Sequence, residues 1–226
     1  MAAETAFRKI TEQEFRLGRS CPTKVLHSRS GLPRAGADSF ADWMRMESTK
    51  IASLARHLFP AAVEVAAQTP TDAWLQTEAL IAAGSTVADA TFVSDDGVCR
   101  VDFVERDEAT LRLYTIVAKV LDPDRHRFGL EFTSQSGRLR KEWRDHFELI
   151  AFRIRIVQQL YPDRRIIPFI VVPIAGVPCA IEGLHRYLKL GGERWQAANP
   201  PAGEEARRLL RVLAVNTECA QLIARV

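Results

Sequence analysis

Long apolar stretches are missing from this sequence. The longest runs from Ile166 to Ile174 and is interrupted by Pro168 and Pro173, whereas a membrane-spanning helix needs about 20 predominantly apolar residues. The opening MAAETAFRKITEQEF carries charges where a secretory signal peptide has an uninterrupted apolar segment. We therefore expect a cytoplasmic protein with no membrane partner.

Cysteine is scarce, and its spacing argues against the usual cysteine-rich sites. The four cysteines, Cys21, Cys99, Cys179 and Cys219, lie far apart and form no CxxC pair, so neither a zinc site nor a disulfide framework is expected. The histidines show no metal-ligand spacing. A phosphate-binding loop, a dinucleotide glycine fingerprint and a Ser/His/Asp order are also missing. Because these motifs are missing, no cofactor is expected.

Net charge is small. The 31 lysines and arginines exceed the 28 acidic residues by only +3, which does not by itself indicate nucleic-acid binding, although local basic clusters still can. With 226 residues, 47% hydrophobic and 26% charged, the composition is that of an ordinary globular domain. We expect one domain over residues 1–226, with N-terminal helices (1–85), a core (86–174) and a C-terminal elaboration (175–226).

Helical signals dominate the N-terminal part. Thr11 and Glu14 form a capping box, in which each side chain satisfies a backbone amide at the helix start. Apolar residues recur at helical spacing over residues 40–58, and a further helix is expected from Thr71 to near Gly84, where glycine is favoured after a helix end.

In the next part of the sequence, the side-chain pattern repeats every two residues, as in a β-strand. Residues 86–93, 98–105 and 111–120 are rich in β-forming residues and are separated by short polar turns, which predicts an antiparallel meander. A long amphipathic helix over 139–161 then leads to the apolar stretch 166–174, which is typical of a buried parallel strand. The C-terminal part is predicted to hold a helix near 181–189, a strand near 208–215 and a short helix from Thr217. The expected fold is α/β, a mixed sheet of a three-strand meander plus a parallel strand, flanked by helices.

Several stretches in this order carry a family resemblance. They are ITEQEFRLGRSCPTKVLH from Ile10 to His27, LARHLFP from Leu54 to Pro60, the three strands VADATF, VCRVDF and LRLYTIVAKV, and VLAVNTECAQLI near the C-terminus. Together they resemble the PD-(D/E)XK nucleases, in the RecB-like branch that includes the CRISPR-associated RecB-type exonucleases. The resemblance spans nearly the whole chain and implies a restriction-endonuclease-like αβββαβ core.

The resemblance also implies a site. In that family an Asp and a Glu on adjacent strands hold Mg²⁺ through oxygen ligands, and a Lys two residues after the Glu assists the attacking water. Asp102, in VCRVDF, occupies the metal-binding Asp position. Asp89, in VADATF, stands where the related subfamily usually has Glu.

The remaining family positions are replaced. Thr115 and Val117 stand where the family has its Glu and Lys, Arg153 stands where it has a helical Gln, and Thr49 stands where it has an upstream His. A hydroxyl offers one neutral oxygen in place of a carboxylate, and a valine offers no ligand. The sequence therefore predicts a decayed catalytic site.

An active site built from other residues stays open as an alternative. Strand alternation places Lys119 on the same face as Val117, and Glu148 on the following helix can direct a carboxylate toward Asp102. This alternative is a Mg²⁺-dependent DNA nuclease that uses Asp102, Lys119 and Glu148, with Asp89 and Asp102 as metal ligands. The opposing interpretation pairs Asp102 with Arg100 or Lys119 as an ordinary ion pair.

Basic residues gather at the start of the long helix. Arg138, Arg140 and Lys141 lie where positive charge opposes the helix dipole, and Arg153 can bind phosphate through its two-pronged guanidinium. We expect these four residues to contact DNA if the domain binds it. The leading hypothesis is a nuclease-like domain that binds DNA or a protein partner in a DNA-processing or defence assembly. The alternatives are the active nuclease and a purely structural subunit.

Overall fold

The structure is a computed structural model that describes residues 9–31, 48–123, 131–182, 188–191, 194–197 and 202–223. Residues 40–47 of the predicted helix over 40–58 lie outside these ranges, as does most of the helix predicted near 181–189. The described residues 188–189 belong to a strand, so that helix prediction is wrong at its end. Among the described helices, none combines the length and apolar character that crossing a bilayer requires.

Seven strands form a mixed, open sheet. They are β1 (Ile10–Thr11), β2 (Val63–Glu64), β3 (Val87–Val93), β4 (Gly97–Asp107), β5 (Thr110–Ile116), β6 (Arg165–Pro173) and β9 (Leu210–Ala214), whereas β7 (Leu188–Gly191) and β8 (Arg194–Ala197) pair separately. The order is β2-β3-β4-β5-β6-β9, with β1 beside β4. β3, β4 and β5 are antiparallel neighbours, β5 and β6 are parallel, and β9 is antiparallel to β6.

Helices cover both faces of this sheet. They are α1 (Glu12–Ser20), α2 (Pro22–Arg29), α3 (residues 48–55, followed by a 3-10 turn at Arg56–Leu58), α4 (Pro70–Ala82), α5 (Lys141–Leu160), α6 (Ala202–Leu209) and α7 (Asn216–Ile223). The larger apolar cluster joins the sheet to α4, α5 and α7, and a smaller one joins the opposite face to α3 and α6. The α/β class and the flanking helices are thus confirmed.

The meander and the parallel strand are present, but their bounds differ from the prediction. The third strand, expected over 111–120, ends at Ile116. Beyond it, Val120 is exposed, so the apolar alternation that suggested a longer strand does not follow burial. The short strands β1 and β2 were not predicted, because two residues are too few to show a period.

Side-chain alternation breaks at one point in both β3 and β4. Val87 and Ala90 belong to the same apolar cluster although they are three residues apart, and so do Val101 and Val104. In a regular strand residues at odd spacing face opposite sides. The break falls at Asp89, whose φ is +58°, a left-handed conformation that Asp tolerates better than most residues. Its position in the register is opposite Asp102.

Candidate functional site

A gap in the sheet forms the candidate site. β4 pairs with β1 at Gly97 and Val98, and with β5 only from Phe103 to Asp107. Among the described strands, none pairs with residues 99–102 on that edge of β4. Backbone groups left open in this way need other hydrogen-bond partners, and side chains of α1 and β4 accept from two of the amides beside the gap.

Arg153 of α5 lies at the centre of this gap. Its Nε and Nη2 donate to the two oxygens of Glu12, at 2.7 and 3.0 Å. Its Nη1 donates to Thr115 Oγ1 at 2.9 Å and lies 3.4 Å from Asp102 Oδ2. The side chain is 10% exposed. These four residues, Arg153, Glu12, Asp102 and Thr115, are called the Arg153 network below.

The two carboxylates of the network also close the sheet. Glu12 Oε1 accepts from the backbone N–H of Arg100 at 2.9 Å, and Asp102 Oδ2 accepts from the backbone N–H of Ile116 at 3.0 Å. Each carboxylate therefore binds both a guanidinium and a backbone amide. Such charge-assisted bonds are stronger than neutral ones, so the network replaces the missing strand pairing.

Burial and charge act on both ionised partners. Desolvation raises the pKa of Asp102 above its ordinary value, although Arg153 and the Ile116 amide oppose it. For Arg153, desolvation acts to lower the pKa, but Glu12 and Asp102 outweigh it and raise the pKa above its usual value. The guanidinium therefore carries its positive charge at physiological pH.

Asp89 forms a second set of ion pairs beside the network. Its Oδ2 lies 2.6 Å from Arg56 Nη2 and its Oδ1 lies 2.7 Å from Arg100 Nη2. Arg56 also pairs with Glu64 at 2.7 Å. The structure thus brings Asp89 and Asp102 together on neighbouring strands, but both oxygens of Asp89 already bind arginines.

Glu148 and Lys119 lie elsewhere. Glu148 pairs with Arg19 of α1 and lies in a different cleft from Asp102. Lys119 donates to the backbone carbonyl of Glu142, and its Nζ lies 5.0 Å from the centre of the Trp143 ring. Neither side chain joins the Arg153 network, so the structure does not assemble the rearranged catalytic set.

A cleft of about 390 Å³ opens onto the network. Thr49, Asp102, Thr115 and Arg153, all positions that the resemblance assigns to the site, lie on its wall together with His146. Asp102 remains 31% exposed there. Burial, with help from Lys119 and Arg16, lowers the pKa of His146. The cleft therefore presents a neutral imidazole beside a fixed ion pair.

Mg²⁺ does not fit the donors at this site. It requires several oxygen ligands in nearly octahedral geometry. Both oxygens of Glu12 bind Arg153, both oxygens of Asp89 bind arginines, and Asp102 Oδ2 faces Arg153 and an amide. No group of three or more His, Cys, Asp or Glu side chains in the described ranges can hold a metal ion. The Arg153 guanidinium supplies the positive charge that a bound cation would otherwise bring to the carboxylates.

The basic residues divide into two places. Arg138 and Lys141 are exposed at the start of α5, while the Arg140 guanidinium donates to the Thr133 carbonyl at 3.0 Å. Arg153 is on the same helix but about 18 Å further along its axis, at about 1.5 Å per residue. Since its N–H groups donate within the protein, the structure separates Arg153 from the other three predicted contacts.

Sequence reasoning missed the part played by Glu12 in this site. Glu12 stands next to Thr11, whose capping box with Glu14 is confirmed, and it is separated from Arg153 by 141 positions in the chain. One local signal pointed to Arg153: it lies three residues after Ile150 and four before Val157, both buried, so helical spacing places a charge within an apolar stripe.

Comparison with known proteins adds no relative. No protein-family model matches the chain, and no curated protein or solved structure matches it either.

Proposed function

We propose that this chain is a restriction-endonuclease-like domain of the RecB-like PD-(D/E)XK type that binds DNA and does not cleave it through a metal ion. The observation that carries the proposal is the Arg153 network, in which one guanidinium binds Glu12, Thr115 and Asp102 together. In this proposal the domain acts in the cytoplasm, within a DNA-processing or defence assembly.

The network supports loss of catalysis in two ways. A metal nuclease needs carboxylates that converge on a cation and a group that activates water. Here Thr115 stands at the position of the second carboxylate. The neighbouring positive charge is the guanidinium of Arg153, which, unlike a metal ion, does not bind and activate a water molecule. Val117, which stands at the position of the family's lysine, is buried and apolar.

The surface at the start of α5 supports DNA binding. Arg138 and Lys141 are both exposed, three positions apart in the chain, and within the described ranges neither forms an ion pair with an acidic residue; Arg144 follows on α5. Lysine and arginine side chains that neutralise phosphates release counterions, which makes binding depend on salt and not on base sequence. We therefore assign the domain a sequence-independent contact with the DNA backbone.

The test measures binding and cleavage by the purified full chain. Fluorescence anisotropy with a labelled duplex should show an affinity that falls steeply with salt. Replacing Arg138 and Lys141 by Gln should reduce the slope of log K against log salt by about 0.9 for each lost phosphate contact. Arg140 is left unchanged because it holds Thr133. The matched control, Arg207→Gln/Arg211→Gln, places the same charge change on α6 and β9 and should leave the slope unchanged.

The same preparations are incubated with linear and single-stranded DNA in Mg²⁺ and in Mn²⁺, beside Asp102→Ala. We expect no cleavage by either protein. Cleavage that disappears in Asp102→Ala would contradict the proposal and support the active nuclease. No DNA binding at low salt would also contradict it and would favour a protein partner.

A further inference from the structure

A buried carboxylate holds two arginines at the boundary between α1 and α5. Glu148 is 8% exposed. Arg19 of α1 binds it through two nitrogens, with Nε at 2.9 Å from Oε2 and Nη2 on Oε1. Arg144 Nε lies 3.6 Å from Oε1, one helical turn before Glu148 on α5.

Both guanidinium groups keep donors for an outside ligand. The side chains of Arg19 and Arg144 are 53% and 54% exposed. Within the described part of the chain, Arg19 Nη1 and both Nη groups of Arg144 make no hydrogen bond. A cleft of about 530 Å³ lies between the two helices and is lined by both arginines and by Glu148.

Aromatic packing between α1 and α5 holds the two helices, and with them the arginines, in a fixed relative position. Phe15 of α1 stacks on Phe152 of α5 with ring centres 4.5 Å apart. Together with the Arg19–Glu148 pair, the stack orients α1 against α5. An arginine whose fork is already oriented loses less conformational entropy when it binds an anion.

We infer that Arg19 and Arg144 form a clamp for one phosphate of the DNA backbone and that Glu148 is its positioning residue. The inference rests on the proposed DNA-binding function and extends its surface, because Lys141, Arg144 and Glu148 share one face of α5. The clamp continues this basic face across to α1. Guanidinium groups bind phosphate bidentately, which fixes the geometry as well as the charge.

Acidic neighbours make the role of Glu148 measurable. Glu142 and Asp145 also line the cleft, so its net charge does not favour DNA strongly. If charge alone mattered, neutralising any of these carboxylates would tighten DNA binding. If Glu148 positions the arginines, neutralising it weakens binding, and the two explanations predict opposite signs.

The experiment compares Glu148→Gln with Glu142→Gln, an exposed acid on the same cleft. DNA affinity is measured by anisotropy at fixed salt, after circular dichroism has shown that each variant is folded. Glu148→Gln should weaken binding about ten- to a hundredfold, the size of one charge-assisted contact. Glu142→Gln should bind as tightly as the unaltered chain or more tightly. In an Arg19→Gln/Arg144→Gln background, Glu148→Gln should no longer weaken binding, because it acts through the arginines.

A second variant decides the matter if Glu148→Gln does not fold. Arg19→Lys/Arg144→Lys keeps both charges but removes the fork, and it should also weaken binding. Unchanged or tighter DNA binding by Glu148→Gln, or by the lysine variant, overturns the clamp while leaving the proposed function standing. An unaltered chain that binds no DNA overturns the proposed function and the clamp together.

Discussion

Arg153 and Arg155 are two positions apart on α5, yet their environments differ. Arg153 is buried and binds two carboxylates and a hydroxyl, whereas Arg155 is about half exposed and pairs with Asp96 at 2.9 Å. An exposed pair is screened by water and contributes little. A buried pair is different, since removing one partner leaves an uncompensated charge in the protein interior.

Replacing Arg153 by Met should therefore lower the free energy of unfolding by about 3 kcal/mol, the lower end of the range for breaking a buried pair. The lower end applies because Asp102 keeps some contact with solvent. Arg155→Met is the matched control and should cost less than about 1 kcal/mol. Urea denaturation of both variants measures the difference, and equal losses would show that the Arg153 network does not stabilise the fold.

Residue identity alone could not show this difference. Helical spacing places Arg153 among buried residues, which marks it as unusual. Its partners, however, come from α1, β4 and β5, and only the packing of these elements brings Glu12 within 2.7 Å of it. Arg153, for which the sequence predicted a phosphate contact, therefore forms ion pairs inside the protein.

At the scale of the element, Gly97 determines how closely β1 approaches β4. A Cβ on Gly97 would lie 2.5 Å from the carbonyl oxygen of Ile10 and 3.2 Å from the Phe152 ring. Backbone cannot yield as a flexible side chain does. The short strand β1 and the helix α1 that follows it, which carries Glu12, therefore depend on a residue without a side chain at this position.

Gly97→Ala should displace β1 and cost about 1–3 kcal/mol, as other overpacking substitutions do. Amide hydrogen exchange in residues 10–20 should speed up, because their docking weakens. Gly18→Ala is the control: its Cβ meets Val25 at an ordinary 3.4 Å, and alanine favours the helix by up to about 1 kcal/mol. Unchanged exchange in Gly97→Ala would mean that β1 docks without needing this close approach.

The order of the larger elements could be predicted, while the smallest could not. Short polar turns and a change of period located β3, β4 and β5, and an apolar stretch located β6, because these signals are local. β1 and β2 contain two residues each, so their conformation depends on the neighbour with which they pair. The break in alternation at Asp89 was missed for a related reason: alanine at positions 88 and 90 fits either face.

At the scale of the whole molecule, we expect the free energy of unfolding to decrease as the pH falls through the range in which histidine titrates. Burial, then Lys119 and then Arg16 lower the pKa of His146, and Asp145 opposes them. The unfolded chain therefore binds a proton at a higher pH than the folded one. The stability that this difference contributes is full above the unfolded pKa of about 6.5 and is lost as pH falls through the folded pKa.

Asp102 contributes with the opposite sign. Because its folded pKa is raised, the native state takes up a proton before the unfolded chain does, which partly offsets the loss as pH falls toward that pKa. Denaturation midpoints measured from about pH 7 to about pH 5 should fall, and less steeply in His146→Gln. His27→Gln, on the exposed surface of α2, is the control. An identical slope in the His146 variant would contradict this account.

The amino-acid sequence is enough to predict the α/β class and the order of the main elements. Those features are carried by residue identity and by periods that span a few neighbours. The tertiary structure alone decided which charges meet: Glu12 with Arg153, Glu148 with Arg19, and Asp89 with Arg56 and Arg100. Ion pairing depends on distance and burial, and for partners as far apart in the chain as 129 and 141 positions both are set by how the helices pack on the sheet.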